Sequence, residues 1–382
     1  MSNLGRISGR FFMLGNHAVA EGAIAAGCNV FAAYPITPAS EIAERLAERM
    51  PEVDPPGRFI QMEDEIGSIF ALSGASMAGA KVMTATSSAG FNYMQEGIGY
   101  AVTIEAPCVI VDVPRCRQDI LPSHADVMQV RWGVSGDYEI IVLAPGSVQE
   151  AFDLTIEAFN LAEKYRNPVI VHLDANIAHM RGKLVIPEPE EIKLIQRKTP
   201  TVSPEEYLPF KGDADGVPPM SKFGDGYHVL YTFNPHSEAG KILGGPSFPD
   251  EYQKMYDRIT WKIAKDRDKL AKTDIRHLDD AELAVVVYGS EGGPSEVAVQ
   301  QARADGRKVA HVRLLTIWPT PNGVLERVAE TVNKILVPEM NLGKYVREVQ
   351  RICGSRAEVI SLPKNNGLMH TTQEILDAIR RN

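Results

Sequence analysis

Cysteine is scarce in this 382-residue sequence: Cys28, Cys108, Cys116 and Cys353 are the only four, and no CxxC pair occurs. That spacing argues against a structural zinc site or a cysteine-held iron–sulfur cluster within the chain, and no metal ligands are assigned. Scattered cysteines in a reducing compartment usually serve as small apolar core residues. Long hydrophobic runs are also missing. No stretch approaches the about 18 apolar residues of a membrane span. The N-terminus has Arg6 and Arg10, but its apolar run is only Phe11 to Leu14, too short for a signal-peptide core. A cytoplasmic location is the expectation. Positive charge is in deficit, 40 Lys and Arg against 49 Asp and Glu, for a net charge of −9. Nucleic acid and acidic membrane surfaces are therefore poor partners, although a local basic pocket for a small anion fits.

What remains is an ordinary globular composition, 44% hydrophobic and 23% charged. At about 150 residues per domain, the length allows two or three domains. Residues 1–190 alternate buried-strand runs with helical patterns, which implies a doubly wound parallel α/β sheet. Strands are expected at 30–33, 81–86, 107–113, 139–143 and 169–173. Helices are expected at 18–26, 38–49, 65–78, 91–104 and 147–165. Pro38 marks the first turn of the second helix, and Ser147 with Glu150 forms a capping box. Residues 191–275 are rich in proline and glycine. They read as a connecting segment with short strands, ending in a charged helix from about 250 to 272. Residues 276–382 return to α/β with four strands and four helices, a complete small domain.

Several segments carry possible chemistry. Tyr34-Pro35-Ile36-Thr37-Pro38 ends a strand and precedes a helix, where open α/β sheets bind ligands and anions are favoured. Thr37 is equally readable as an N-cap. Glu63-Asp64-Glu65 opens a helix. Charge pattern alone favours a solvated, dipole-matched start, but Glu65 stands where the sequence turns inward. A buried carboxyl there could exchange protons with a heteroaromatic nitrogen. Thr84 to Gly90 offers small hydroxyl residues that let a ligand approach the backbone. Arg115, Arg117 and His124 follow a buried strand, and guanidinium groups suit carboxylates. An internal Arg117–Asp119 pair is the plainer alternative. Gly224-Asp225-Gly226 reads as a turn, because no strand–helix pattern follows it. Cys116 with His124 as nucleophile and base is disfavoured beside strand-end arginines.

At these residues the chain resembles the alpha subunit of 2-oxoacid:acceptor (ferredoxin) oxidoreductases, most closely the 2-oxoglutarate type with separate subunits. The resemblance covers nearly the whole chain. It rests on YPITPAS at 34–40, MEDE at 62–65, Thr84 to Ser87 with Gly90-Phe91, Asp126 to Gln129, FDLTIEAFNLAEKYRNPVI at 152–170, LLTIWPTP at 314–321 and VPEMNLG at 337–343.

The resemblance implies a pyrimidine-binding domain for thiamine diphosphate, followed by a transketolase-C-terminal-like domain. It implies that Glu65 hydrogen-bonds N1′ of the aminopyrimidine, Thr37 lies near the substrate carbonyl or carboxylate, and Arg115 holds the carboxylate. Tyr34, Pro35, Ile36, Ser87 and Phe91 would line the cofactor. The diphosphate, Mg2+ and an iron–sulfur cluster would sit on a beta subunit, with gamma- and delta-type subunits completing the assembly. The implied reaction is oxidative decarboxylation, with coenzyme A as acyl acceptor and ferredoxin as electron acceptor. One segment departs from the family pattern. Where relatives show a run similar to RGGPSTGLPT, this chain has RCRQDILPSHAD, and Arg117 or His124 would meet the distal group of the substrate. An aryl or other 2-oxoacid is the alternative substrate. A noncatalytic scaffold and a transketolase-like carboligase are the alternative functions.

Overall fold

A computed structural model describes residues 5–116, 119–229, 231–232, 234–244 and 247–382. β1 (Gly9–Leu14) runs directly into α1 (Gly15–Ala25). β2 (Val30–Ala33), α2 (Ser40–Arg49), β3 (Arg58–Gln61), α3 (Glu65–Met77), β4 (Val82–Thr86), α4 (Ser88–Thr103) and β5 (Cys108–Asp112) follow. A one-turn helix, α5 (Gln129–Trp132), precedes β6 (Ile141–Leu143), α6 (Val148–Tyr165), β7 (Pro168–His172), α7 (Ala175–His179) and β8 (Arg181–Ile186).

β4, β5 and β7 are buried along their whole length, as strands covered on both faces must be. They lie in a seven-stranded sheet of order β12-β6-β7-β5-β4-β2-β3, parallel throughout except at β12. β1 and β8 form a separate antiparallel ribbon. The chain leaves β2 for β3 on one side and returns to β4 on the other. The strand order therefore reverses at β2, and open α/β sheets bind ligands beyond the carboxyl ends of the strands at such a point. Close packing sets the helices that follow β3 and β4 against each other. A Cβ on Gly97 of α4 would overlap Ile69 Cγ2 of α3, so only glycine lets the two helices approach.

Ser147 caps α6 as expected, with Oγ accepting from the Glu150 amide at 3.1 Å. The Glu150 carboxylate goes elsewhere. It accepts from the Gly146 amide and from Arg313 of the second domain, at 2.8 and 2.5 Å. Pro38 does not open α2. The helix begins at Ser40 with Ala39 as N-cap, and the Thr37–Pro38 bond is cis. The N-cap alternative for Thr37 therefore falls.

The middle segment contains α8 (Pro249–Ala264) and α9 (Arg267–Leu270). Among the described residues, the short strands expected in it are missing, apart from one that begins at Thr273 near its end. Among the described residues between Ile186 and Thr273, only an isolated bridge, His236 with Ile242, has strand pairing. Prolines remove ladder donors, and side chains hold the segment instead. The buried Arg166 guanidinium donates to the carbonyls of Pro209, Pro218 and Pro219, at 3.1, 3.2 and 3.1 Å. Glu105 is wholly buried between Arg258 and Lys262, at 2.6 and 2.8 Å.

The second domain comprises β9 (Thr273–Arg276), β10 (Leu283–Val287), α10 (Gly292–Ala304), β11 (Val309–Leu314), β12 (Thr316–Trp318), α11 (Asn322–Thr331), β13 (Lys334–Glu339), α12 (Val346–Cys353), β14 (Glu358–Pro363) and α13 (Thr372–Arg381). Its sheet has the order β14-β13-β10-β11-β9, with β9 antiparallel at one edge. β9 begins ahead of residue 276, where sequence composition places the domain start. β12 leaves this domain and pairs antiparallel with β6, closing the edge of the first sheet. Trp318 anchors that crossing by donating from Nε1 to the Val127 carbonyl at 2.8 Å.

Candidate active site

The site is built where the strand order reverses. Asp64 is the N-cap of α3, its Oδ1 accepting from the Gly67 amide at 2.6 Å, and it remains exposed beside Glu63. Glu65, the first helical residue, turns inward and keeps only 4% of its surface. Burial, the largest influence, raises its pKa above the ordinary carboxylic value, and Asp64 adds to the rise. Its own backbone amide and the nearby Arg115 oppose it. The position opposite is Gly90 on α4. A Cβ there would stand 2.5 Å from Glu65 Cδ and closer still to Glu65 Oε1 and Thr86 Oγ1. Glycine is thus required for the carboxyl to occupy its place.

The loop after β2 brings Tyr34, Pro35, Ile36 and Thr37 to the same end of the sheet. Tyr34, Pro35 and Thr37 are exposed, and Ile36 is half-buried. Arg115 approaches from the end of β5 and donates from Nη1 to the Thr37 carbonyl at 2.6 Å. Glu65, Thr37 and Arg115, expected from sequence to act together, are therefore neighbours. Ser87 is the N-cap residue of α4, buried, with an Oγ that has no partner among the described residues. Phe91 lies wholly buried one turn further into α4.

His124 sits apart. It is 1% exposed, with Nε2 3.3 Å from Asp174 Oδ2 and its ring 4.6 Å from that of Tyr288. Asp174 also accepts from the Ser290 amide at 2.7 Å, so this group joins the two domains. Cys116 packs toward the Pro122 carbonyl, and no thiol–imidazole pair forms with His124. Arg117 lies outside the described residues. Gly224-Asp225-Gly226 is a turn, with both glycines at positive φ and Asp225 paired with Lys222.

The arrangement offers a buried carboxyl with a raised pKa, seated in room that Gly90 leaves, an arginine for an anion, and a buried hydroxyl, Ser87, without a partner among the described residues. Such a donor set fits the pyrimidine half of a thiazolium coenzyme. Residues 21–243 match the family model of the thiamine-diphosphate-binding domain of pyruvate flavodoxin/ferredoxin oxidoreductases, and 281–375 match core domain II of pyruvate:ferredoxin oxidoreductase. The chain belongs to this 2-oxoacid oxidoreductase family.

Within the family it is 46% identical to the 2-oxoglutarate synthase subunit KorA of Methanothermobacter thermautotrophicus, over 97% of this chain and 98% of that one. It is 34% identical to the ketoisovalerate oxidoreductase subunit VorB of the same organism, over 96% of each. A solved 2-oxoglutarate:ferredoxin oxidoreductase from Magnetococcus marinus superposes with a TM-score of 0.89 at 30% identity. The match covers 98% of this chain but only 65% of the Magnetococcus chain. Both domains, the thiamine-diphosphate-binding sheet and the smaller α/β unit, are thus family features. Among the described residues, no helix is long and apolar enough to cross a membrane.

The small hydroxyl residues and glycine of 84–90 announce a close approach, and Asp126 falls within a motif of the family resemblance, but neither the sequence nor the resemblance assigns a role to Thr86, Ser88 or Asp126.

Proposed function

We propose that this chain is the alpha-type subunit of a 2-oxoglutarate:ferredoxin oxidoreductase. The observation that carries the proposal is the buried Glu65 carboxyl at the start of α3, set at the sheet's reversal point beside Arg115 and Thr37. Glu65 would hold a proton at the pyrimidine nitrogen of thiamine diphosphate, which its raised pKa favours. Arg115 would take the substrate carboxylate, and Thr37 would face the 2-oxo group. Phe91 and Ile36 would shield the cofactor from water. When bound, the coenzyme supplies the carbon nucleophile and the electron sink for loss of CO2.

The diphosphate, Mg2+ and an iron–sulfur cluster would belong to a beta subunit, with gamma- and delta-type subunits alongside. Electrons would leave singly to ferredoxin, and coenzyme A would take the acyl group. The four free thiols suit the reducing cytoplasm. The similarity to KorA chains supports 2-oxoglutarate as substrate. A branched or aryl 2-oxoacid is the second reading, supported by the exposed apolar Ile120 and Leu121 on the loop that the family resemblance would turn toward the substrate.

The test is 2-oxoacid-dependent dye reduction by the chain co-purified with its partner, over a panel of 2-oxoacids. Turnover should be greatest with 2-oxoglutarate, and Glu65→Gln should abolish it while leaving the assembly intact. Turnover with only branched or aryl acids would reject the substrate, and an active Glu65→Gln complex would reject the site.

A further inference from the structure

Arg115 reaches Thr37 from a loop whose backbone is gripped from behind. Ser88, the first residue of α4, is buried. Its Oγ lies 3.0 Å from the Arg115 amide nitrogen and 3.1 Å from the Arg115 carbonyl oxygen. The same hydroxyl is hydrogen-bonded to Oδ2 of Asp126, which is buried in the short turn at 125–127. The groups facing Asp126 are Asp112 at the end of β5, His172 at the end of β7, Ser88 of α4 and Lys344 ahead of α12. Burial, and next the Asp112 carboxyl, push Asp126 up to about 7, while Ser88, His172 and Lys344 pull the other way. Asp112 is itself held well above the usual range by burial, and its Oδ2 lies 3.2 Å from His172 Nδ1.

A hydroxyl has one proton and two lone pairs. With Asp126 ionised, the Ser88 proton goes to the carboxylate, and Ser88 holds Arg115 only by accepting from its amide. With Asp126 protonated, the carboxylic acid donates to Ser88 Oγ. The Ser88 proton is then free to turn to the Arg115 carbonyl, and both backbone groups of Arg115 are held.

We propose that Ser88 and Asp126 form a positioning pair that fixes the backbone of Arg115, with two hydrogen bonds in the acid form and one in the ionised form, and so tunes the capture of the anionic substrate. The inference rests on the reading of Arg115 as the carboxylate-binding residue. Neither Ser88 nor Asp126 touches substrate; both act through Arg115.

The test measures KM and kcat of the co-purified complex for its 2-oxoacid from pH 6 to 8.5. It also follows hydrogen exchange of the peptide carrying the Arg115 amide, corrected for intrinsic rates. In the parent chain, KM should rise about fivefold through neutrality as one neutral hydrogen bond is lost, with kcat nearly constant. Asp126→Asn donates permanently to Ser88 and should hold KM at its acid value across the range. Ser88→Ala should raise KM at every pH, flatten the profile and speed exchange at the Arg115 amide, leaving exchange in β10 unchanged. A KM flat through neutrality in the parent chain, or one that neither variant moves, would overturn the proposal. If no 2-oxoacid is turned over by any form, the functional reading fails. Exchange at Arg115 then still decides the grip: equal protection in the parent chain and Ser88→Ala rejects it.

Discussion

Replacing Gly90 with alanine should disable the Glu65 carboxyl without unfolding the chain. The added Cβ would lie 2.5 Å from Glu65 Cδ. Non-bonded carbons rest at about 3.5–4.0 Å, so the carboxyl has to retreat by about 1 Å. Neither α3 nor α4 can yield easily, because Gly97, about two turns beyond Gly90, and Ile69, about one turn beyond Glu65, already bring them into close contact. A displacement of about 1 Å at a reacting group costs about 100-fold in rate, and overpacking costs about 1–3 kcal/mol of stability. Gly74→Ala is the control. It makes the same chemical change in α3 at an exposed position, where a Cβ meets nothing within 4 Å. There the gain in helix propensity should stabilise the chain by about 1 kcal/mol. The assay is dye reduction by the co-purified complex, with thermal melting of both variants. A Gly90→Ala complex that keeps its rate to within about threefold, a change of under about 1 kcal/mol in the barrier, would refute the argument. So would a loss of rate that Gly74→Ala reproduces.

Two other perturbations follow from the packing. Glu105→Gln leaves Lys262 and Arg258 without their buried counter-charge and should cost about 3–5 kcal/mol in chemical denaturation. Burial alone pushes the Glu105 carboxyl up, but Arg258 and Lys262 draw it well below its ordinary 4.5. The stability it contributes is therefore complete above pH 4.5 and is lost as pH falls below that value. The variant should show a shallower further loss over that acid range, and an equally steep loss in both proteins would reject the assignment. Arg313→Met removes the ion pair to Glu150 that ties the second domain to the cap of α6. It should cost about 1–2 kcal/mol, and a double-mutant cycle with Glu150→Gln that shows no coupling would dismiss the pair as incidental.

The interior strands were legible because their residues are buried on both faces. CVIVD and PVIVH need no partner information to be read as sheet centre. Edge strands were not. β3 has the sequence RFIQ and a largely exposed pattern, so nothing in its periodicity announces a strand. The middle segment misled for a related reason. Its prolines suggest breaks between short strands, whereas its order comes from carbonyls captured by Arg166, a tertiary fact without local periodicity. At the site, Glu63, Asp64 and Glu65 look alike as a charge pattern. Only the helix phase set by Asp64 as cap separates one buried carboxyl from two exposed ones. The apolar residues that follow Glu65 hint at the distinction, and family likeness points to the same carboxyl. It did not reveal Asp126, because a polar turn reads as surface until Asp112, His172 and Lys344 are seen to enclose it.

β12 gives the chain an architecture that resists dissection. Three residues from the second domain complete the outer edge of the first domain's sheet, held by Trp318 across to Val127. A fragment cut in the linker near 275 would expose the β6 edge, with its N–H and C=O groups bare and apolar side chains on both faces, a template for self-association. The half that carries Glu65 and Arg115 therefore depends for its solubility on a strand encoded more than 170 positions downstream of β6.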